Sequence, residues 1–258
     1  MAFKRIKMVA GPNGSGKSTV VYDLLADHPE WLGVWINADE IEVILRAGTL
    51  DLAAFDIPQD PQLHDRLRTF CASSGLLGKA ENPQLIVDAM QLHGPLVSLP
   101  QPMVNAYVAG TVADFIRHEL LRAGVTFTFE TVMSSPDKIQ LMRDALNAGK
   151  RTCLYFVGTS SPDINVDRVD KRVRNGGHPV PESHIRQRCA KSLGNLQEAC
   201  AAATRADIFD NSGNGHVLVA EIDETHEVQF PAEAIPAWLA DTSWFAGLLE
   251  LRDDPGPA

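Results

Sequence analysis

Long hydrophobic runs, paired cysteines and a surplus of positive charge are all missing from this chain of 258 residues. No stretch of about 18 apolar residues occurs, so no segment reads as a membrane span. The basic start, Met1 to Lys7, meets a glycine-rich turn after too few apolar residues for a secretory leader. Cys71, Cys153, Cys189 and Cys200 are scattered with no C-x-x-C spacing, which signals neither a zinc site nor a redox motif and fits a reduced, cytoplasmic protein. Lys and Arg number 23 against 33 Asp and Glu, a net charge of -10 that argues against a general nucleic-acid coat. What is present is ordinary globular composition, 45% apolar and 22% charged, long enough for one large domain carrying an insertion.

Residues 3–10 read as a short buried strand, followed by a glycine loop and then Val20, Val21, Leu24 and Leu25 at helical spacing. Trp31 to Ile36 reads as a second strand, ending at Asn37-Ala38-Asp39-Glu40 before another helical pattern. From about 51 to 110, six prolines break short apolar segments, and the region reads as a helical or irregular insertion. Thr111 to Arg122 is expected to be a helix closed by Gly124, Val125 to Glu130 a strand, Pro136 to Ala148 a helix and Thr152 to Val157 a strand. Strands alternating with helices imply an α/β fold with a parallel sheet flanked by helices. The kinase-like domain is expected over 1–220. Residues 221–258, with nine acids and one arginine, are expected to pack on it or trail from it.

Gly11 to Ser18 matches G-x-x-x-x-G-K-[ST] between a strand and a helix, the context this phosphate loop demands. Backbone N–H groups freed by the glycines, with the following helix N-terminus, cradle a polyphosphate. Lys17 then reaches the β- and γ-phosphates and the Ser18 hydroxyl ligates Mg²⁺. Gly11, Asn13, Gly14, Ser15, Gly16, Lys17, Ser18 and Thr19 are therefore the expected ATP site. No L-S-G-G-Q loop accompanies it, no apolar strand ends in Asp-Glu, and no N-K-x-D motif occurs, which disfavours mechanical ATPases and GTPases.

Two acids end other candidate strands, Asp39 and Glu130. In an open parallel sheet, ligands bind outside the carboxyl ends of the strands, so both are expected to face the crevice that holds Lys17. Asp39 suits a general base for an acceptor hydroxyl and Glu130 a substrate clamp. The competing reading of Asp39 is a helix N-cap, and of Glu130 a solvated strand end. Residues 166–191 carry a local charge of +4, with Val166, Val169 and Val173 on one helical face and Arg168 and Arg172 on the other. A glycine turn and a second helix bearing Arg188 complete the form of a lid over about 164–195, able to neutralise a transferring phosphoryl group. The alternative is a solvated hairpin with Asp167/Lys171 and Asp170/Arg174 pairs.

These residues together resemble the zeta-toxin-like P-loop kinases, through Gly11 to Thr19, Asn37 to Ile41, Phe129-Glu130-Thr131, Arg168 to Val173 with Gly176-Gly177-His178-Pro179-Val180-Pro181-Glu182, and Asp210-Asn211-Ser212. The resemblance covers about 4–50 and 111–220. It implies ATP and Mg²⁺ as cofactors, Asp39 as base, Glu130 and Thr131 on the substrate, Arg168 or Arg172 with Arg188 on the phosphoryl group, and Asn211 near the base of the nucleotide. It also implies transfer to a hydroxyl of a nucleotide sugar such as UDP-N-acetylglucosamine, and an antitoxin partner. Cys189 departs from it, since relatives place an aromatic there. The expected enzyme is an ATP-dependent kinase acting on a small anionic acceptor. The competing classes are a regulatory or mechanical ATPase and a kinase acting on RNA or protein.

Overall fold

The computed structural model describes residues 4–27, 29–177, 179–225 and 227–246. His178 in the glycine turn and the Pro255-Gly256-Pro257 end lie outside the described residues. In chain order the elements are β1 (Arg5–Ala10), α1 (Lys17–Asp27), β2 (Val34–Ile36), α2 (Ala38–Ala47), β3 (Thr49–Asp51), α3 (Leu63–Ser73), α4 (Pro83–Ala89), β4 (Gln91–His93), β5 (Leu96–Ser98), α5 (Ala106–Ala123), β6 (Phe127–Thr131), α6 (Asp137–Asn147), β7 (Arg151–Gly158), α7 (Pro162–Arg174), α8 (Glu182–Gly194), α9 (Leu196–Ala201), β8 (Arg205–Asp210), β9 (Val217–Ile222), β10 (Val228–Gln229) and α10 (Ala237–Ala240). The chain divides into two compact units. One holds the described residues up to Trp31 and from Glu130 onward, and the other is Leu32–Phe129.

The first unit is built on strands in the order β10-β9-β8-β7-β1. Strands β1, β7 and β8 run parallel, with Met8 opposite Leu154 and Leu154 opposite Ala206. Five of the six β1 residues are buried, as in a parallel strand covered on both faces. Met8, Val9, Leu154, Phe156 and Ile208 form the centre of this core. Because the strands are parallel, their carboxyl ends gather at one edge, and the glycine loop, Gly158 and Asp210 lie there.

Strands β9 and β10 run antiparallel to their neighbours, and the boundary expected at 220 falls inside β9. Glu221, Ile222, Val228 and Gln229 belong to the sheet, and Leu239 and Phe245 beyond it are fully buried. The acid count hid this because Glu221 is the one acid on β9 and is half-buried, and Asp223 and Glu224 lie in the following turn, while Val219, Ala220 and Ile222 are buried.

In the second unit β2 pairs parallel with the first three residues of β6, and α2 packs along α5. The expected helical or irregular insertion contains α3 and α4, but also a three-stranded antiparallel sheet in the order β3-β5-β4. Its strands are three residues each, too short for alternation to register as a pattern, yet Leu50 and Val97 are completely enclosed.

Candidate active site

The loop leaves β1 at Gly11 and enters α1 at Lys17. Gly14 and Gly16 both adopt left-handed backbone, with φ of 78° and 91°. A Cβ on Gly14 would lie 2.5 Å from Asn165 O, and one on Gly16 would lie 2.0 Å from Asn211 Nδ2. Only glycine fits the loop against these neighbours. The amide of Asn211, buried at the end of β8, donates to Ser15 O at 2.8 Å, and the amide of Asn165, buried on α7, donates to Asn13 O at 2.8 Å. Asn165 was not legible as a loop partner, since its sequence signal is only that of a polar residue in the first turn of a helix.

Lys17 is buried and folds back over its own loop, with Nζ donating to Gly11 O at 2.9 Å and Pro12 O at 3.0 Å. Glu130 ends β6 beside it. Its Oε1 lies 3.6 Å from Lys17 Nζ, and its Oε2 accepts from Ser18 Oγ at 3.3 Å. Glu130 therefore meets the two loop residues assigned to phosphate and Mg²⁺. Thr131 turns its hydroxyl to the backbone N–H of Met133, and Thr19 is exposed on the first turn of α1.

Asp39 belongs to the second unit, at the start of α2. The N-cap there is Asn37, whose Oδ1 accepts from Asp39 N at 2.9 Å. The capping function weighed for Asp39 is thus already filled by its neighbour, and its carboxylate is not needed for it.

The segment expected to form a lid holds two helices, α7 and α8, packed on each other. Arg168 spans the end of β8, donating to Asn211 O at 2.8 Å and Gly213 O at 3.3 Å. Arg188 donates to Asn13 Oδ1 at 3.2 Å. The backbone carbonyl of Arg172 accepts from Gly177 N and closes α7. Among the described residues, Asp167 does not pair with Lys171 nor Asp170 with Arg174. Arg186 of α8 instead pairs with Glu182 and Asp163. Burial pushes the Cys189 thiol up, against the opposing pull of the Arg186 and Lys17 charges, so the residue after Arg188 is a neutral thiol near the loop lysine.

Behind these residues, Trp238 of α10 donates from Nε1 to Asp210 Oδ1 at 2.7 Å. Its ring lies so close to Gly158 that a Cβ there would be 2.3 Å from it. Ser212 Oγ also donates to Asp210, at 2.6 Å, and accepts from Ser160 N at 2.7 Å. The C-terminal segment thereby braces the carboxyl ends of β7 and β8.

The residues fit a nucleoside triphosphate. The glycine cradle is closed to any Cβ, and Ser15 Oγ is fully buried without a protein partner, a polar group left for a ligand. They also fit a magnesium ion held by Ser18. Among the described residues no cluster of three His, Cys, Asp or Glu side chains could hold a metal alone, and Mg²⁺ is commonly bound through one or two protein ligands plus phosphate and water.

No protein-family model matches the chain. An uncharacterized protein of Haemophilus influenzae is 28% identical over 125 residues, which cover 46% of this chain and 89% of that protein. Among solved structures, AvrRxo1-ORF1:AvrRxo1-ORF2 with sulphate ions superposes with a TM-score of 0.50 at 13% identity, over 99% of this chain and 65% of that one. The two chains share a mixed α/β fold with a mostly parallel sheet flanked by helices. The PezAT chromosomal toxin-antitoxin structure of Streptococcus pneumoniae gives a TM-score of 0.47 at 12% identity over 96% of this chain and 84% of that one. The chain spans just under two thirds, 64% and 65%, of the length of the AvrRxo1 structures that it matches. No helix of the described residues is long and apolar enough to cross a membrane.

Proposed function

We propose that the protein is an ATP-dependent kinase of the zeta-toxin type. It transfers the γ-phosphate to a hydroxyl of a small anionic metabolite, with a nucleotide sugar such as UDP-N-acetylglucosamine the favoured acceptor. The observation that carries this reading is the loop: a glycine cradle with an unpartnered buried serine hydroxyl and a buried lysine, closed by Glu130 rather than by a mechanical ATPase's Asp-Glu strand. On binding, Lys17 exchanges the carbonyls of Gly11 and Pro12 for phosphate oxygens, and the N–H groups of the loop receive the rest. Ser18 would hold Mg²⁺, which would supply neutralising charge to the phosphates.

In this reading Glu130 holds Ser18 and Lys17 in place, and Asp39 accepts the proton of the attacking hydroxyl. Arg188 and Arg172 neutralise the phosphoryl group in transfer, while Arg168, already bonded to the loop after β8, orders the nucleotide side of the site. Thr131 contributes to acceptor binding. The resemblance extends the proposal to an antitoxin partner and a cytoplasmic setting. The test is incubation with γ-labelled ATP and a cell extract. Label in a small metabolite supports the reading. Label in a macromolecule, or only in inorganic phosphate, moves it to a protein or RNA kinase or to an ATPase. Asp39→Asn should then bind ATP as wild type does and transfer phosphate at least about 100-fold more slowly, the usual scale of general-base loss. Transfer at the wild-type rate would remove Asp39 from the role of base.

A further inference from the structure

Two residues of the phosphate loop have their carbonyls tied from outside, and the ties determine more than loop stability. A trans peptide is planar, with its C=O and the following N–H pointing in opposite directions. Holding Ser15 O toward Asn211 therefore turns the Gly16 N–H away from Asn211. Holding Asn13 O toward Asn165 turns the Gly14 N–H away from Asn165 in the same manner. These are N–H groups on which a phosphate cradle of this kind depends.

The Asn165 tie is itself oriented. The side chain is completely buried, and its Oδ1 accepts from Thr159 Oγ1. A backbone carbonyl can only accept, so the Nδ2 end is turned toward Asn13 O, and the Oδ1 end left opposite it is held by the Thr159 hydroxyl. The backbone of α7 also passes against the loop, since Asn165 O is the atom that a Cβ on Gly14 would strike. One helical turn on, Arg168 lies on the same side of α7 and bonds Asn211 O, the residue that makes the other tie. Helix α8 reaches the same loop residue by a different atom, through Arg188 to Asn13 Oδ1. Both helices of the lid therefore converge on Asn13.

We propose that Asn165 is a positioning residue for the phosphate site: by holding Asn13 O it aims the Gly14 N–H at the bound phosphate and keys helix α7 to the loop. The proposal rests on the nucleotide-site reading above. It assigns a function to a residue that touches neither phosphate nor acceptor. It also explains why a polar amide is wholly buried near the start of a lid helix, where an apolar side chain would otherwise pack.

The experiment uses the full chain, with ATP affinity measured by calorimetry in the presence of Mg²⁺ and thermal unfolding measured with and without ATP. Asn165→Asp keeps size and the acceptor for Thr159 but puts an oxygen where the donor to Asn13 O was. It should weaken ATP binding about tenfold, the scale of one lost hydrogen bond to a site-forming group, and shrink the ATP-induced rise in Tm. Thr159→Val leaves the bond to Asn13 O but removes the anchor of Oδ1, and should weaken ATP binding by a smaller factor, about threefold, with a near wild-type Tm without nucleotide. If Asn165→Asp lowers the nucleotide-free Tm while ATP affinity stays within about twofold of wild type, Asn165 is a packing residue only and the proposal fails. Should Asn165→Asp not fold, Thr159→Val decides: unchanged affinity overturns the proposal, and the threefold loss supports it. Wild-type protein that shows no ATP-dependent rise in Tm overturns the nucleotide reading itself, and the proposal with it.

Discussion

Replacing Glu130 with glutamine separates charge from shape at the centre of the site. In the free protein the carboxylate sits 3.6 Å from Lys17 Nζ, with side-chain exposures of 20% and 7%. At an effective dielectric of about 20, two unit charges at that distance attract by roughly 5 kcal/mol. Lys17 keeps two carbonyl acceptors either way, and the partial exposure of Glu130 screens the pair, so the net effect should be about 1–2 kcal/mol. ATP without metal must displace this carboxylate from Lys17 or bind beside its negative charge. Glu130→Gln should therefore bind metal-free ATP more tightly, by about 5–30-fold. With Mg²⁺ the advantage should shrink, because the metal offsets the repulsion that the carboxylate exerts, and phosphoryl transfer should slow because Ser18 loses an ionised acceptor. Calorimetric titration of ATP with and without Mg²⁺ measures both affinities. Metal-free affinity that is unchanged or weaker in the variant would refute the assignment of Glu130 as the resting counter-ion of Lys17.

Two further outcomes follow from the same structure. Gly16→Ala places a Cβ 2.0 Å from Asn211 Nδ2 at a φ of 91°, so the amide must leave Ser15 O; denaturant unfolding should show a loss of about 1–3 kcal/mol, and ATP binding should weaken more than in Thr159→Val. Lys7, buried under the ring of Trp31 with its nitrogen 5.2 Å from the ring centroid, is pushed by burial from 10.5 down to about 8. The unfolded chain then binds more protons at this group between pH 8 and 10.5, so its destabilising contribution is full below pH 8 and fades as pH rises to 10.5. Lys7→Met should accordingly be more stable than wild type at pH 7, with a gap that narrows across that interval; a gap independent of pH would exclude burial of the charge as the cause.

Local chemistry made much of this molecule legible. The glycine loop between a strand and a helix, the acid at the end of β6, and two basic helices around a glycine turn all reside in short sequence windows, where steric demands and helical periodicity act directly. The same windows could not reveal Asn165 or Trp238, whose partners lie 152 and 28 residues away in the chain. Nor could they reveal the small sheet in the insertion, whose three-residue strands carry almost no periodic signal and are specified by pairing across the unit. Arg168 shows the difference most plainly. Composition placed it on the cationic face of α7 and pointed it at phosphate, but folding presents it with two backbone carbonyls of the loop after β8, and a guanidinium with five donors takes the acceptors that tertiary packing supplies. The sequence by itself determined that a glycine loop forms between β1 and α1 and which residues compose it, because backbone sterics at the glycines are local. Only the tertiary structure decided which amides aim that loop and which acid stands against its lysine, because hydrogen-bond partners distant in the chain meet only when the parallel strands bring their carboxyl ends together.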